Sequence, residues 1–309
     1  MANLEQPPSS PNFECGDQQL STRTTTRTDY YLESKEAEIT PECELKGTWR
    51  QMWDLRDFKI SEIWMAGLIE LWVTGLNVFV SGATAIALSS QKNITSPFLL
   101  PMIGGILAGV NLTLFIFAAL PASGGHINPL ITLGSFAIRA SSLPRTLIYI
   151  VAQTIGATAG ASLLHAAVGN GIMASTIIPG CTWNPDADMS PLQTLILESI
   201  ACIVLLWIAF IAGLDPRQSK VFGRVLGPMV IGLTLGICIF ITAIVRPGFT
   251  GAAMNPARCF GLLAVTGGFE NHFVHWAGTA VAAFASGVVY LAMPPYATKT
   301  VINAVPISG

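Results

Sequence analysis

Polar and apolar residues are sharply segregated along the chain of 309 residues. Residues 1–61 are polar and rich in Ser and Thr, and they read as a largely disordered cytosolic tail. Within that tail Ser21-Thr22-Arg23-Thr24-Thr25-Thr26-Arg27-Thr28 mixes hydroxyls with arginines and is a candidate phosphorylation segment. Six apolar blocks follow, near 62–88, 98–120, 146–168, 192–213, 224–245 and 272–293. Each is long enough to cross a bilayer, which takes about 20 apolar residues. Two shorter apolar runs, near 128–138 and 255–266, follow the second and fifth blocks. At ~1.5 Å per helical residue each covers roughly half of the hydrocarbon core. Residues 294–309 form a second cytosolic tail.

Both short runs open on Asn-Pro: Asn128-Pro129-Leu130 within PASGGHINPLITLG, and Asn255-Pro256-Ala257-Arg258 within RPGFTGAAMNPARCFG. Proline suits the first helical position, where its fixed φ is already helical and its missing N–H would have been unpaired. The preceding Asn is then an N-cap whose oxygen accepts from an orphan backbone N–H, leaving its NH2 to donate outward. The helix N-terminus adds partial positive charge beside that donor.

The halves repeat. Glu70 in the first block precedes Asn128 by 58 positions, and Glu198 in the fourth precedes Asn255 by 57. Each half, about 62–168 and 192–293, is three spans with a dipping half-helix after the second. An odd number of spans inverts the second half, so the two Asn-Pro turns face each other from opposite sides of the midplane. Glu70 and Glu198 are read as acceptors for backbone N–H groups in the dipping loops, because non-helical backbone at membrane depth needs partners. Recurrent glycines, among them Gly105, Gly109, Gly156, Gly160, Gly232 and Gly236, are read as close helix packing.

Composition agrees: 51% hydrophobic, 11% charged, mean hydropathy +0.57. This is an integral, multi-pass membrane protein rather than a soluble domain. The net charge of −2 gives no sign of nucleic-acid binding. The cysteines Cys15, Cys43, Cys181, Cys202, Cys238 and Cys259 are scattered, with no metal-ligand spacing, and neither a metal site nor a disulfide framework is expected. No cofactor, nucleotide loop or catalytic triad stands out, so an enzyme is not expected. Lys46, Arg50, Arg56 and Lys59 precede the first span, and Arg139, Arg145, Arg217, Lys220 and Arg224 lie in connections on the same side. The connection 169–191 has no Lys or Arg, so both termini are expected in the cytosol and the plasma membrane is the expected location. Asn93-Ile94-Thr95 would then be an outer glycosylation motif.

The stretches SGGHINPLITLG and TGAAMNPARCFG resemble the two signature loops of the major intrinsic proteins, the aquaporin and glyceroporin family. The resemblance covers roughly 62–293 and takes in Glu70 with Thr74, the stretch around Gln153, and Glu198. Leu130 in place of the usual Ala, Cys259 after the second signature, and the long N-terminal tail resemble the plant X intrinsic protein subfamily. The resemblance implies an all-α, right-handed bundle of six spans plus two half-helices and a homotetramer with one pore per subunit. It implies a passive channel that excludes ions and protons, with Arg258 as the selectivity-filter arginine. Counting from the two Asn residues gives Ala108, Ala243 and Ala252 as the other filter positions, with Thr242 if the register slips by one. Three alanines would leave a wide constriction suited to glycerol, urea, boric acid or hydrogen peroxide, with water passing less well. His126 and Gln153 are expected to brace the first loop. Cys259 is expected either to fill space or to be a modifiable thiol near the outer mouth. A secondary transporter, which would need a titrating carboxylate in the pathway, and a non-conducting structural relative are the competing classes.

Overall fold

The computed structural model describes residues 48–91, 93, 96–182, 189–214, 216–246 and 248–293. The Ser/Thr/Arg run, the C-terminal tail, and Ile94 and Thr95 of the glycosylation motif lie outside them. The described residues form helices and connecting loops, with no strand among them. Six helices are long and apolar enough to cross a membrane: Ser61–Ser89, Leu99–Ser123, Leu143–Val168, Pro191–Leu214, Val225–Val245 and Phe273–Ala292. The two half-helices are Pro129–Ala137 and Pro256–Thr266. Both begin on the proline of the Asn-Pro pair, as the missing N–H dictates.

The spans also depart from the expected bounds. The second runs on through Pro121 to Ser123, so its last turn carries a residue that the first loop uses. The fourth ends in a π turn, Phe210–Leu214. Residues 48–60, grouped with the tail by their polarity, fold instead. Thr48 and Gln51 form a reciprocal capping box on helix Trp49–Met52, and Asp54 caps the 3-10 turn Leu55–Lys59. Met52 is buried, and Trp53 meets Phe136 of the first half-helix edge-on. A short helix, Asn170–Ser175, also stands in the connection between the third and fourth spans.

In lipid, helices gain little from burying apolar surface, so close backbone contact holds them together. Cβ atoms at Gly156 and Gly160 of the third span would sit 2.0 Å from Leu71 O and 2.0 Å from Gly75 O of the first. The second and fifth spans meet the same way, Gly105 against Gly236 and Gly109 against Gly232, with hypothetical Cβ atoms 2.4 to 2.6 Å from the facing carbonyl oxygens. The half-helices cross over between repeats. Gly287 of the sixth span packs on Ala137 of the first half-helix, and Gly261 of the second half-helix packs on Ala157 of the third span. The outward face is apolar: Trp64, Leu68, Trp72 and Leu76 are exposed at four-residue spacing along the first span, as a lipid-facing stripe requires.

Gly160→Val is expected to destabilise the protein by about 3 kcal/mol or prevent folding, because its Cβ meets fixed backbone rather than a movable side chain. Gly171→Ala, with nothing within 4 Å of the added Cβ, is expected to stay within about 0.5 kcal/mol of wild type. Unfolding in detergent measures both.

Candidate functional site

Each half-helix is reached through a short non-helical segment buried inside the bundle, and that segment needs hydrogen-bond partners that no water supplies. In the first loop the Glu70 carboxylate, fully buried, accepts from His126 N (3.0 Å), Ile127 N (2.6 Å), Ser123 Oγ (2.6 Å) and Gln153 Nε2 (2.9 Å). In the second loop the buried Glu198 accepts from Ala253 N (2.9 Å) and Met254 N (2.7 Å). Ile127 and Met254 hold left-handed backbone, φ 56° and 50°. That conformation costs a residue other than glycine energy and persists where surrounding bonds enforce it. Both are the residue before the Asn, so the two loops share one backbone path.

The two Asn residues are N-caps as expected. Asn128 Oδ1 accepts from Leu130 N (2.8 Å) and Asn255 Oδ1 from Arg258 N (3.1 Å). Their amides are not wholly free, however. Asn128 Nδ2 donates to Met254 O at 2.7 Å and Asn255 Nδ2 donates to Ile127 O at 3.2 Å. Each cap thus reaches across to the carbonyl of the opposite left-handed residue and ties the two loops together. An Asn NH2 carries two N–H donors, so one on each side remains beyond this tie. Leu130 is fully buried in the core with Ile127 and Ile131. The ring of His126 joins Thr132 Oγ1 (3.0 Å) and Ser135 Oγ (3.4 Å) of the half-helix, and Gln153 Nε2 also donates to Thr132 Oγ1 (3.0 Å). His126 and Gln153 thus both contact the first half-helix through Thr132, and Gln153 also donates to Glu70.

Arg258 lies in the first turn after Asn255 and is held from three sides. Its Nε donates to Ser81 Oγ (3.2 Å), one Nη to Pro179 O (3.0 Å) and the other to Cys181 Sγ (3.3 Å). Cys181 forms a disulfide with Cys259. This corrects the expectation of scattered free thiols: Cys259 is neither a lone packing residue nor a modifiable thiol, and its partner stands 78 positions away in the connection between the third and fourth spans. Among the described residues the free cysteines are Cys202 and Cys238, both buried. The segment Ile178–Cys181 is further fastened by Gly180 N donating to Thr250 Oγ1, which itself donates to Thr182 O. A Cβ on Gly180 would lie 3.1 Å from Ala253 Cα, so the segment lies directly on the second loop.

Ala252 is buried, and its N–H donates to Thr242 Oγ1 at 2.8 Å. Ala243 faces Gly251, whose Cβ would meet the Ala243 Cβ at 3.4 Å. Thr242 thus secures the loop backbone that Ala243 packs beside. Ala108 packs partly buried against the core between the second and fifth spans. Sequence reasoning missed Ser81, Pro179, the role of Cys181 and the Arg145–Tyr149 pair, whose side chains both donate to Ser123 O (2.8 and 2.7 Å). It also missed His275, whose Nδ1 lies 3.5 Å from Glu198 Oε1. Only Cys181 left a signal, as a cysteine in the connection between the third and fourth spans.

The sequence profile of the major intrinsic proteins matches residues 57–290. The chain belongs to this family. Relatives include a probable TIP-type aquaporin of Medicago truncatula, 30% identical over 73% of this chain and 85% of the relative. Aquaporin TIP4-1 of Zea mays is 33% identical over 73% and 84%. The solved aquaglyceroporin of Plasmodium falciparum superposes with a TM-score of 0.58 over 73% of this chain and 94% of its own, at 20% identity, and so shares the fold. As a major intrinsic protein the chain is a multi-pass membrane channel for water or small solutes.

Peptide mapping of unreduced protein is expected to recover Cys181 and Cys259 in one linked pair; separate thiol peptides would contradict the structure. Cys259→Ser is expected to lower stability by about 2–4 kcal/mol, read from unfolding in detergent.

Proposed function

We propose that this channel conducts small uncharged solutes wider than water, such as glycerol, urea, boric acid and hydrogen peroxide, with water a poorer permeant. The reading is supported by an Arg258 guanidinium held by Ser81, Pro179 and Cys181, taken together with the three small residues, Ala108, Ala243 and Ala252, that counting assigns to the other filter positions. A fixed guanidinium offers directed donors to a passing hydroxyl or amide. Small apolar neighbours leave room and few hydrogen bonds for water. Ions and protons are excluded by the same Arg and by the two half-helix N-termini, a device for which aquaporin-type pores are the type case.

The channel is proposed to work as a homotetramer with one pore per subunit, in the plasma membrane, with both termini in the cytosol. Leu130, Cys259 and the long N-terminal tail support placing it with the X intrinsic proteins, although relatives named TIP-type are among its nearer sequences.

The test is a flux panel in proteoliposomes of purified protein. Glycerol, urea, boric acid and hydrogen peroxide are expected to cross faster than in empty vesicles, and water no faster than its rate through a narrow water channel. Fast water flux with no glycerol or peroxide flux would overturn the wide-filter reading. Ala108→Phe is expected to cut glycerol flux by about tenfold, a barrier increase of about 1.4 kcal/mol, and to cut water flux less.

A further inference from the structure

The two repeats brace their loops unequally. Glu70 has four donors and Glu198 has two among the described residues, although both are fully buried. A carboxylate has room for about four hydrogen bonds, and a buried charge short of partners is costly. The missing partner can be located by the repeat itself. Gly156 of the third span packs on the backbone of Leu71, next to Glu70, and Gly278 of the sixth packs on Glu198 and Ser199. Three residues before Gly156 stands Gln153, which donates to Glu70. Three residues before Gly278 stands His275.

His275 is 1% exposed, and neither ring nitrogen has a hydrogen-bond partner. Its Nδ1 is 3.5 Å from Glu198 Oε1, too far for a good hydrogen bond and close enough for an ion pair. An under-served carboxylate and a partnerless imidazole therefore face each other where the first repeat has a closed amide-to-carboxylate bond. We propose that His275 is the positioning residue of the second signature loop, acting through Glu198, and that gain of a proton on its ring closes the pair and makes conduction respond to pH. The amide of Gln153 braces its loop at any pH. An imidazole at the twin position braces fully only as imidazolium, which adds both a second donor and a charge.

The surrounding groups fit that assignment. From the fourth span Glu198 and Cys202 face this region, and the second half-helix contributes Arg258, which feels the Glu198 charge. The first half-helix, Pro129–Ala137, packs on the sixth span and carries no titratable side chain. On the sixth helix itself His272 caps the N-terminus, with rings 5.6 Å apart. Its Nε2 accepts from Trp276 Nε1 at 3.1 Å. Burial, and secondarily the neighbouring His275, pushes His272 down to about 4, so it stays neutral over the range where the response is expected. Loss of the His275 proton removes the pair's contribution, so bracing is present on the acid side and fades as pH rises.

The inference rests on the channel reading, and it is tested by flux and unfolding of purified protein between about pH 5.5 and 8. Wild-type glycerol flux is expected to rise about threefold towards the acid end. His275→Gln, which installs the first repeat's own solution, is expected to give a flat profile near the acid-side level, and His275→Ala a flat profile near the alkaline level. A flat wild-type profile, or one that persists in His275→Gln, overturns the proposal. The unfolding midpoint of wild type relative to His275→Gln is expected to rise as pH falls. If that rise is present while glycerol does not cross, the solute reading fails and the brace stands; if it is absent, the brace fails whatever the flux.

Discussion

The structure depends on a buried carboxylate that satisfies backbone N–H groups where no water can. A segment that enters the bilayer, turns and starts a helix leaves peptide groups unpaired, and each costs free energy if it stays so. Glu70 and Glu198 answer this by receiving the two N–H groups just before each Asn. That contact enforces the left-handed backbone at Ile127 and Met254. The left-handed turn then aims the Ile127 and Met254 carbonyls at the opposite Asn amides. One acid in each repeat therefore determines the loop path, the cap and the tie between halves.

The tie explains how two separate half-helices behave as one unit. Asn128 and Asn255 each cap their own helix and anchor the other loop, so neither N-terminus moves without the other. Arg258 joins the same frame through the second cap, while Ser81 and the segment Pro179–Cys181 hold its far end. The Cys181–Cys259 disulfide fastens that segment to the residue next to Arg258. Positive charge and hydrogen-bond donors are thus held in place rather than carried on mobile side chains. Under the proposed function, such an arrangement would favour a neutral solute that accepts hydrogen bonds over a cation.

Much of this was legible because it is local or repeated. The half-helix starts follow from Asn-Pro alone, and the matched spacing from Glu70 and Glu198 to the two Asn residues exposed the inverted repeat before any coordinates. The glycines that bring the spans together were visible as recurrent small residues. What stayed hidden involves partners far apart in sequence and unlike in type. Nothing local links Cys181 to Cys259, and a carbonyl acceptor such as Pro179 O has no signature, since every residue has one. His275 escaped because its counterpart is a glutamine, so the repeat is preserved in position and lost in residue type. The folded stretch 48–60 was hidden by its polarity: its buried residues are only Met52 and Asp57, and the exposed Trp53 adds an edge contact with Phe136.

The central claim is that braced loops and a pinned guanidinium make a passage for neutral molecules that charged ones cannot use. The most direct measurement records solute flux and proton leak on the same vesicles containing the wild-type protein. The account predicts glycerol flux well above that of empty vesicles, with proton leak indistinguishable from theirs. Proton or cation current rising together with solute flux would contradict it.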